Sequence, residues 1–117
     1  MHELSIAQNL VELAVESAQA QGLRRLTALH VRIGALSGVV KEALLFAFDV
    51  VTEGTPAQGA ALIIEDVPVT IFCPSCQAER TLDAPVPMRC PECGTRSGDV
   101  RAGRELELVA LEGVEEA

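Results

Sequence analysis

Two Cys-x2-Cys pairs, Cys73-Pro-Ser-Cys76 and Cys90-Pro-Glu-Cys93, constrain this chain more than any other feature. Two intervening residues let both sulfurs of a pair turn toward one point, and Gly94 after the second pair supplies the backbone freedom such a knuckle needs. Two knuckles together offer four thiolates, the full tetrahedral shell of a structural zinc ion, with no position left open for a substrate. Disulfides fit poorly, because all four cysteines fall within positions 73–93 of a chain whose start lacks the marks of an export signal. A redox dithiol would place one pair at a helix start, not two pairs in a Pro-rich stretch. Ligand type alone does not separate zinc from iron in a four-sulfur site.

Around this segment the hydrophobic pattern changes three times. In residues 4–20, Ile6, Leu10, Leu13, Ala14 and Ser17 recur at helical spacing, with Glu12, Glu16 and Gln19 turned elsewhere, and Gly22 marks the stop. From Leu26 to Ile33 the pattern alternates, Leu29, Val31 and Ile33 against Ala28, His30 and Arg32, which predicts a strand. A second helix is expected from about Val40 to Glu53 with an apolar stripe of Leu44, Leu45, Phe48 and Val51, capped by Ser37 and ended by Gly54. Strands are predicted at 61–67 and 104–112, the latter with Leu106, Leu108 and Ala110 on one face. Between them, residues 73–93 hold only scattered apolar side chains, too few for an ordinary core, so the metal is expected to supply most of that segment's order.

The order helix, strand, helix, strand, cysteine segment, strand predicts an α+β fold: two helices packed on a small, mostly antiparallel three-stranded sheet, with an inserted zinc-ribbon-like module. The expected boundaries are 1–70 plus 98–117 for the α+β domain and 71–97 for the insertion.

Charge narrows the function. Nine Lys and Arg stand against 17 Asp and Glu, a net charge of −8, and the only aromatics are Phe46, Phe48 and Phe72. That removes both the positive field and the stacking surfaces of a nucleic-acid binder. No apolar run approaches the roughly 18 residues that a membrane span requires, and MHELSIAQNL carries an acid at position 3 where a secretory signal is basic. The expectation is a cytoplasmic protein with no membrane insertion. A closed four-cysteine shell, with no Ser/His/Asp set, paired carboxylates or Gly-rich phosphate loop, argues against an enzyme.

His2 invites a second metal reading. The Met1 amine, the His2 amide nitrogen and its imidazole Nδ1 can chelate one ion through adjoining five- and six-membered rings, a donor set suited to Ni(II) or Cu(II). Initiator removal is expected only ahead of small residues, so Met1 should stay, and Glu3 could add its carboxylate or amide. A solvated terminal histidine has the same spacing, and spacing does not choose between the two. His30, on the polar face of its strand, reads as a surface residue. The acidic side of the first helix, around Glu12 and Glu16, and the exposed sheet edge are candidate docking surfaces that read equally as solvated faces.

Three stretches taken together, MHELSIAQNLVE, RIGALSGVVKEALLFAFDVVTEGT and the CPSC with CPECG pair, resemble the HypA/HybF family of nickel-insertion accessory proteins for NiFe-hydrogenase maturation. The resemblance spans essentially the whole chain. It implies a nickel-binding domain of two helices and a three-stranded sheet with an inserted zinc domain. It implies nickel as transferred cargo on Met1, His2 and Glu3, with His2 the indispensable ligand, and structural zinc on Cys73, Cys76, Cys90 and Cys93. The implied partners are a nickel-handling GTPase of hydrogenase maturation and the hydrogenase large subunit; some relatives also serve urease. No histidines flank the cysteines here, so a zinc shell that exchanges Cys for His ligands is not expected in this chain. The competing reading is a zinc-ribbon interaction module with an idle N-terminus. A monomer is expected, with strand edges that leave a weak homodimer open.

Overall fold

A computed structural model of the chain describes residues 2–115. The elements run α1 (Glu3–Ala20), β1 (Leu23–Gly34), α2 (Lys41–Thr52), β2 (Ala61–Val67), β3 (Thr70–Cys73), β4 (Ala78–Thr81), β5 (Val100–Ala102) and β6 (Leu106–Glu115). They form two three-stranded sheets, ordered β2-β1-β6 and β4-β3-β5. The two helices, the first sheet and the cysteine insertion are as predicted, and β2 has the predicted bounds. The second sheet was not foreseen, because strands of three or four residues are too short to show a period-two pattern. Among the described residues no helix is long and apolar enough to cross a membrane. The chain forms two compact units, one built from the chain up to Val31, Val39–Ile64 and the chain from Leu108 onward, the other from Arg32–Gly38 and Glu65–Glu107.

In the first unit, α1 and α2 pack together. α1 buries Ala7, Leu10, Val11, Ala14 and Ala18. Its inward face is therefore rotated from the expected stripe, and Leu13 is 56% exposed. Three of the five buried residues are alanines, whose small side chains allow a neighbouring element to approach closely. α1 ends where the Gln21 amide returns to the Ser17 and Ala18 carbonyls and Gly22 takes φ +74°.

α2 buries Leu44, Ala47, Phe48 and Thr52, while Leu45, expected in the stripe, is 42% exposed. The expected Ser37 cap does not form: the N-cap is Val40, whose side chain cannot accept a hydrogen bond. Phe48 anchors a cluster with Val11, Ala14, Ala18, Leu26, Leu29, Ala57 and Ala60, joined by Leu108 and Leu111. Burying a side chain such as Phe48 stabilises the fold by about 1.5–3 kcal/mol. Along β6 the inward phase slips by one residue, so Ala110 is exposed and Leu111 packs into the cluster in its place.

The second unit is organised by the β3–β4 hairpin, antiparallel with Thr70 opposite Thr81, Ile71 opposite Arg80, Phe72 opposite Glu79 and Cys73 opposite Ala78. β5 pairs antiparallel on the other side of β3. Val69, Ile71 and Leu82 form a small core, covered by Leu36, Met88 and Val100. Of these six only Leu82 and Met88 fall within residues 73–93, in keeping with the expectation that this stretch has too few apolar side chains for a core of its own; the others come from flanking segments. Backbones meet closely at Gly34, where a Cβ would sit 2.1 Å from the Gly103 carbonyl oxygen. The Leu36 amide donates to that same oxygen at 2.7 Å, and the Gly34 amide donates to the Glu105 carbonyl at 2.8 Å.

Candidate metal centres

Cys73 ends β3, and Cys76 follows in the turn that leads to β4; Gln77 closes this first knuckle with φ +53°, a conformation that an L residue adopts only when its surroundings fix it. The second knuckle is closed by Gly94 at φ +77°, with the Gly94 amide donating to the Cys90 carbonyl and the Cys90 amide to the Thr95 carbonyl, each at 2.9 Å. The hairpin and this loop bring all four sulfurs within 4.8 Å of one another. Cys73 and Cys93 sulfurs are 3.5 Å apart, and those of Cys76 and Cys90 are 3.9 Å apart. A tetrahedron with metal–sulfur bonds of about 2.3 Å has edges of about 3.8 Å, so the cluster has the dimensions of a zinc shell. A disulfide requires about 2.05 Å, and all four cysteines are free. The four cysteines are placed for one metal and fit structural zinc.

The surroundings favour negative charge unequally. The Cys76 amide donates to the Cys73 sulfur at 3.4 Å. Desolvation opposes ionisation of Cys90, yet amide donors from Cys93 and Glu92 and the neighbouring thiols outweigh it and bring the group down to about 6. Cys93 is lowered chiefly by the Thr95 hydroxyl, 3.1 Å from its sulfur, and by the Thr95 amide. At Cys76 the Arg80 guanidinium is the largest single influence and pulls the thiol down, but the other sulfurs and burial together push it up to about 11.

The N-terminal candidates lie in the other unit. Met1 falls outside the described residues. His2 is the N-cap of α1 in extended conformation, exposed, with its carbonyl accepting the Ile6 amide at 3.1 Å. Among the described residues no hydrogen bond engages its imidazole. Glu3 is the first helical residue, and its Oε2 accepts the Val40 amide at 3.0 Å. That donor, followed by Glu3's own amide, holds the carboxyl below its ordinary range. One carboxylate thus caps α2 from 37 positions away and ties the start of α1 to the start of α2. Sequence reasoning named Glu3 as a possible ligand and missed this contact, for which no local signal exists.

His30 is a paired surface residue, with Nε2 2.6 Å from Glu112 Oε2. Glu12 and Glu16 are exposed and rim a shallow hollow floored by Val11 and Val15. Arg80 and Thr95, both beside the sulfurs, were also missed. Neither type is a metal ligand, so neither stands out in a search for ligand spacing.

The family model described as "Hydrogenase/urease nickel incorporation, metallochaperone, hypA" matches residues 1–113. Hydrogenase maturation factor HypA of Chloroflexus aurantiacus is 57% identical over 112 residues, covering 96% of this chain and 98% of the relative. The factor of the same name from Roseiflexus is 49% identical over 112 residues, covering 96% and 91%. Among solved structures, the solution structure of the Ni metallochaperone HypA from Helicobacter pylori superimposes with a TM-score of 0.69 at 28% identity, covering 99% of this chain and 100% of that one. The chain belongs to the HypA family of nickel-incorporation metallochaperones.

Proposed function

We propose that this HypA-family chain carries Ni(II) at its N-terminus, on Met1, His2 and Glu3, and delivers it to the large subunit of a NiFe hydrogenase. A nickel-handling GTPase is the working partner, the cytoplasm the compartment, and the protein acts as a carrier, not an enzyme, as a monomer or weak homodimer. Zinc on Cys73, Cys76, Cys90 and Cys93 holds the inserted module, taken as 71–97, in shape, and the α+β domain of 1–70 and 98–117 holds the cargo.

The observation that supports this reading is the state of His2. Its imidazole is exposed at the first turn of a helix whose start is fixed by the Glu3 contact to Val40. A ligand at such a place is held by a rigid element yet open to an incoming recipient, which is what transfer by ligand exchange requires. The amine, imidazole and any amide must shed protons to bind, so loading depends on pH. Glu3 keeps its role in capping α2 through one carboxylate oxygen, which leaves its other oxygen or its backbone nitrogen for the ion.

Calorimetric nickel titration of the wild type and His2→Ala, with zinc content measured in parallel, tests the proposal. The carrier reading expects His2→Ala to lose nickel while keeping one zinc per chain. Unchanged nickel affinity would turn the assignment to a zinc-ribbon interaction module. Extending the N-terminus with a tag consumes the free amine and should weaken nickel binding in the same way.

A further inference from the structure

The loop that carries the second cysteine pair holds two arginines against each other. Arg89 and Arg96 are partners in an antiparallel bridge that stands apart from both sheets. On either side of them the Cys90 amide donates to the Thr95 carbonyl at 2.9 Å and the Ser97 amide to the Met88 carbonyl at 3.1 Å. Hydrogen bonds so placed flank the pair without joining it, which is the register that brings opposed side chains closest. Both residues are exposed, and like charges directly opposite one another disfavour the pairing that holds them. A chain with 17 acidic residues has the means to neutralise them. It does not: Glu65 and Glu107 go to Arg32, and Glu79 and Asp99 go to Arg101. Among the described residues no carboxylate lies within ion-pair distance of Arg89 or Arg96.

The two arginines share a hollow of about 390 Å³ with Pro87, Met88, Ser97 and Gly98. Amides that could converge on a compact anion such as phosphate are spent inside the loop, that of Arg89 on the Pro87 carbonyl at 3.0 Å and those of Cys90 and Ser97 on the bonds that flank the pair. Ser97 Oγ is spent as well, donating to the Phe72 carbonyl at 2.6 Å and accepting the Asp99 amide at 3.2 Å. What remains is two planar donor forks beside the apolar side chains of Pro87 and Met88. Each fork matches a carboxylate in bidentate geometry. We propose that this face docks an acidic segment of a partner protein, one carboxylate to each arginine, with an apolar side chain of that segment against Pro87 and Met88. Docking replaces a like-charge contact by two ion pairs, so the repulsion is relieved only when the site is occupied. A net charge of −8 repels an acidic ligand at long range, so such binding has to come from a local site. The proposal concerns the cysteine-bearing unit and does not depend on where the chain holds nickel.

The test uses the zinc-loaded full chain as wild type, Arg89→Gln, Arg96→Gln, the double variant and, as a control for the same loss of charge at an exposed position in the other unit, Arg24→Gln. The probe is a fluorescein-labelled peptide of sequence Gly-Glu-Glu-Leu-Glu-Glu-Gly, followed by anisotropy at low salt, with inorganic phosphate as competitor. Wild type is expected to bind it and to ignore the same peptide with Gln for every Glu. Each single variant should weaken binding by about fivefold, the upper end for an exposed ion pair, and the double variant by about 25-fold, with zinc content unchanged. Thermal unfolding separates docking from a structural role: relieving two opposed like charges should leave the midpoint equal or higher, whereas arginines that hold the loop together would lower it on removal. No binding by wild type, affinity of the double variant within about twofold of wild type, or an equal fall in Arg24→Gln overturns the proposal. A lower midpoint in both single variants overturns it in favour of a structural pair. Phosphate that binds more tightly than the peptide and is lost in the double variant overturns it in favour of a small-anion site.

Discussion

Stripping zinc from the loaded protein is expected to unfold the unit that holds the cysteines and leave the helical unit folded. The cysteine-bearing hairpin of that unit has a small apolar cluster of Val69, Ile71 and Leu82. At about 1.5–3 kcal/mol for each fully buried side chain, the three contribute on the order of 5–9 kcal/mol. A structural zinc ion contributes about 10–16 kcal/mol of apparent binding free energy in small metal-dependent domains, so here the ion outweighs the core. The first unit is built the other way round, on eight buried residues, Phe48 among them, with six more packed against them. Amide hydrogen exchange followed by mass spectrometry, before and after treatment with an excess of a strong chelator, reads both units in one sample. Peptides covering 69–82 and 88–102 should lose protection, and those covering α1 and α2 should keep it. Full protection of 69–82 after complete loss of zinc would refute the reasoning, as would parallel loss of protection in the helices.

Phe48→Ala should destabilise the first unit by about 3–5 kcal/mol, because Phe48 is 2% exposed at the centre of its cluster, and thermal unfolding at fixed zinc content measures it. Zinc content itself should not change. Gly34→Ala forces a Cβ to 2.1 Å from the Gly103 carbonyl oxygen, a backbone atom that no rotamer change can move aside. A loss of about 1–3 kcal/mol or more is expected, read by denaturant midpoint. The Asp99 carboxyl, held down by Arg101 at 2.9 Å, should titrate below its ordinary value of 3.8 in carboxyl-carbon NMR, and Arg101→Leu should raise it. The sign follows from linkage: a lowered carboxyl stabilises the fold above the ordinary carboxylate range, and that contribution disappears as pH falls through the lowered value.

The contact between Glu3 and Val40 joins fold and function. α2 begins at a valine that cannot cap itself, and the missing acceptor comes from the residue that follows His2. In the proposed N-terminal nickel site this contact couples ligand position to helix initiation, so a change at Glu3 is expected to affect both the start of α2 and nickel binding.

Sequence alone determined the features that repeat over short distances. Cys-x2-Cys spacing fixes a knuckle within four residues, alternation from Leu26 to Ile33 marks β1, and helical spacing marks α1 and α2, because each is a local relation between neighbouring side chains. Tertiary structure decided whatever required a distant partner: which side of α1 turns inward, that Leu111 and not Ala110 faces the cluster, and that Glu3 supplies the acceptor at the start of α2. The short strands β3, β4 and β5 belong with these, since three or four residues carry no period of their own and become a sheet only by hydrogen-bonding to one another. The physical division is between periodicity, which the chain carries with it, and pairing, which exists only once remote segments meet.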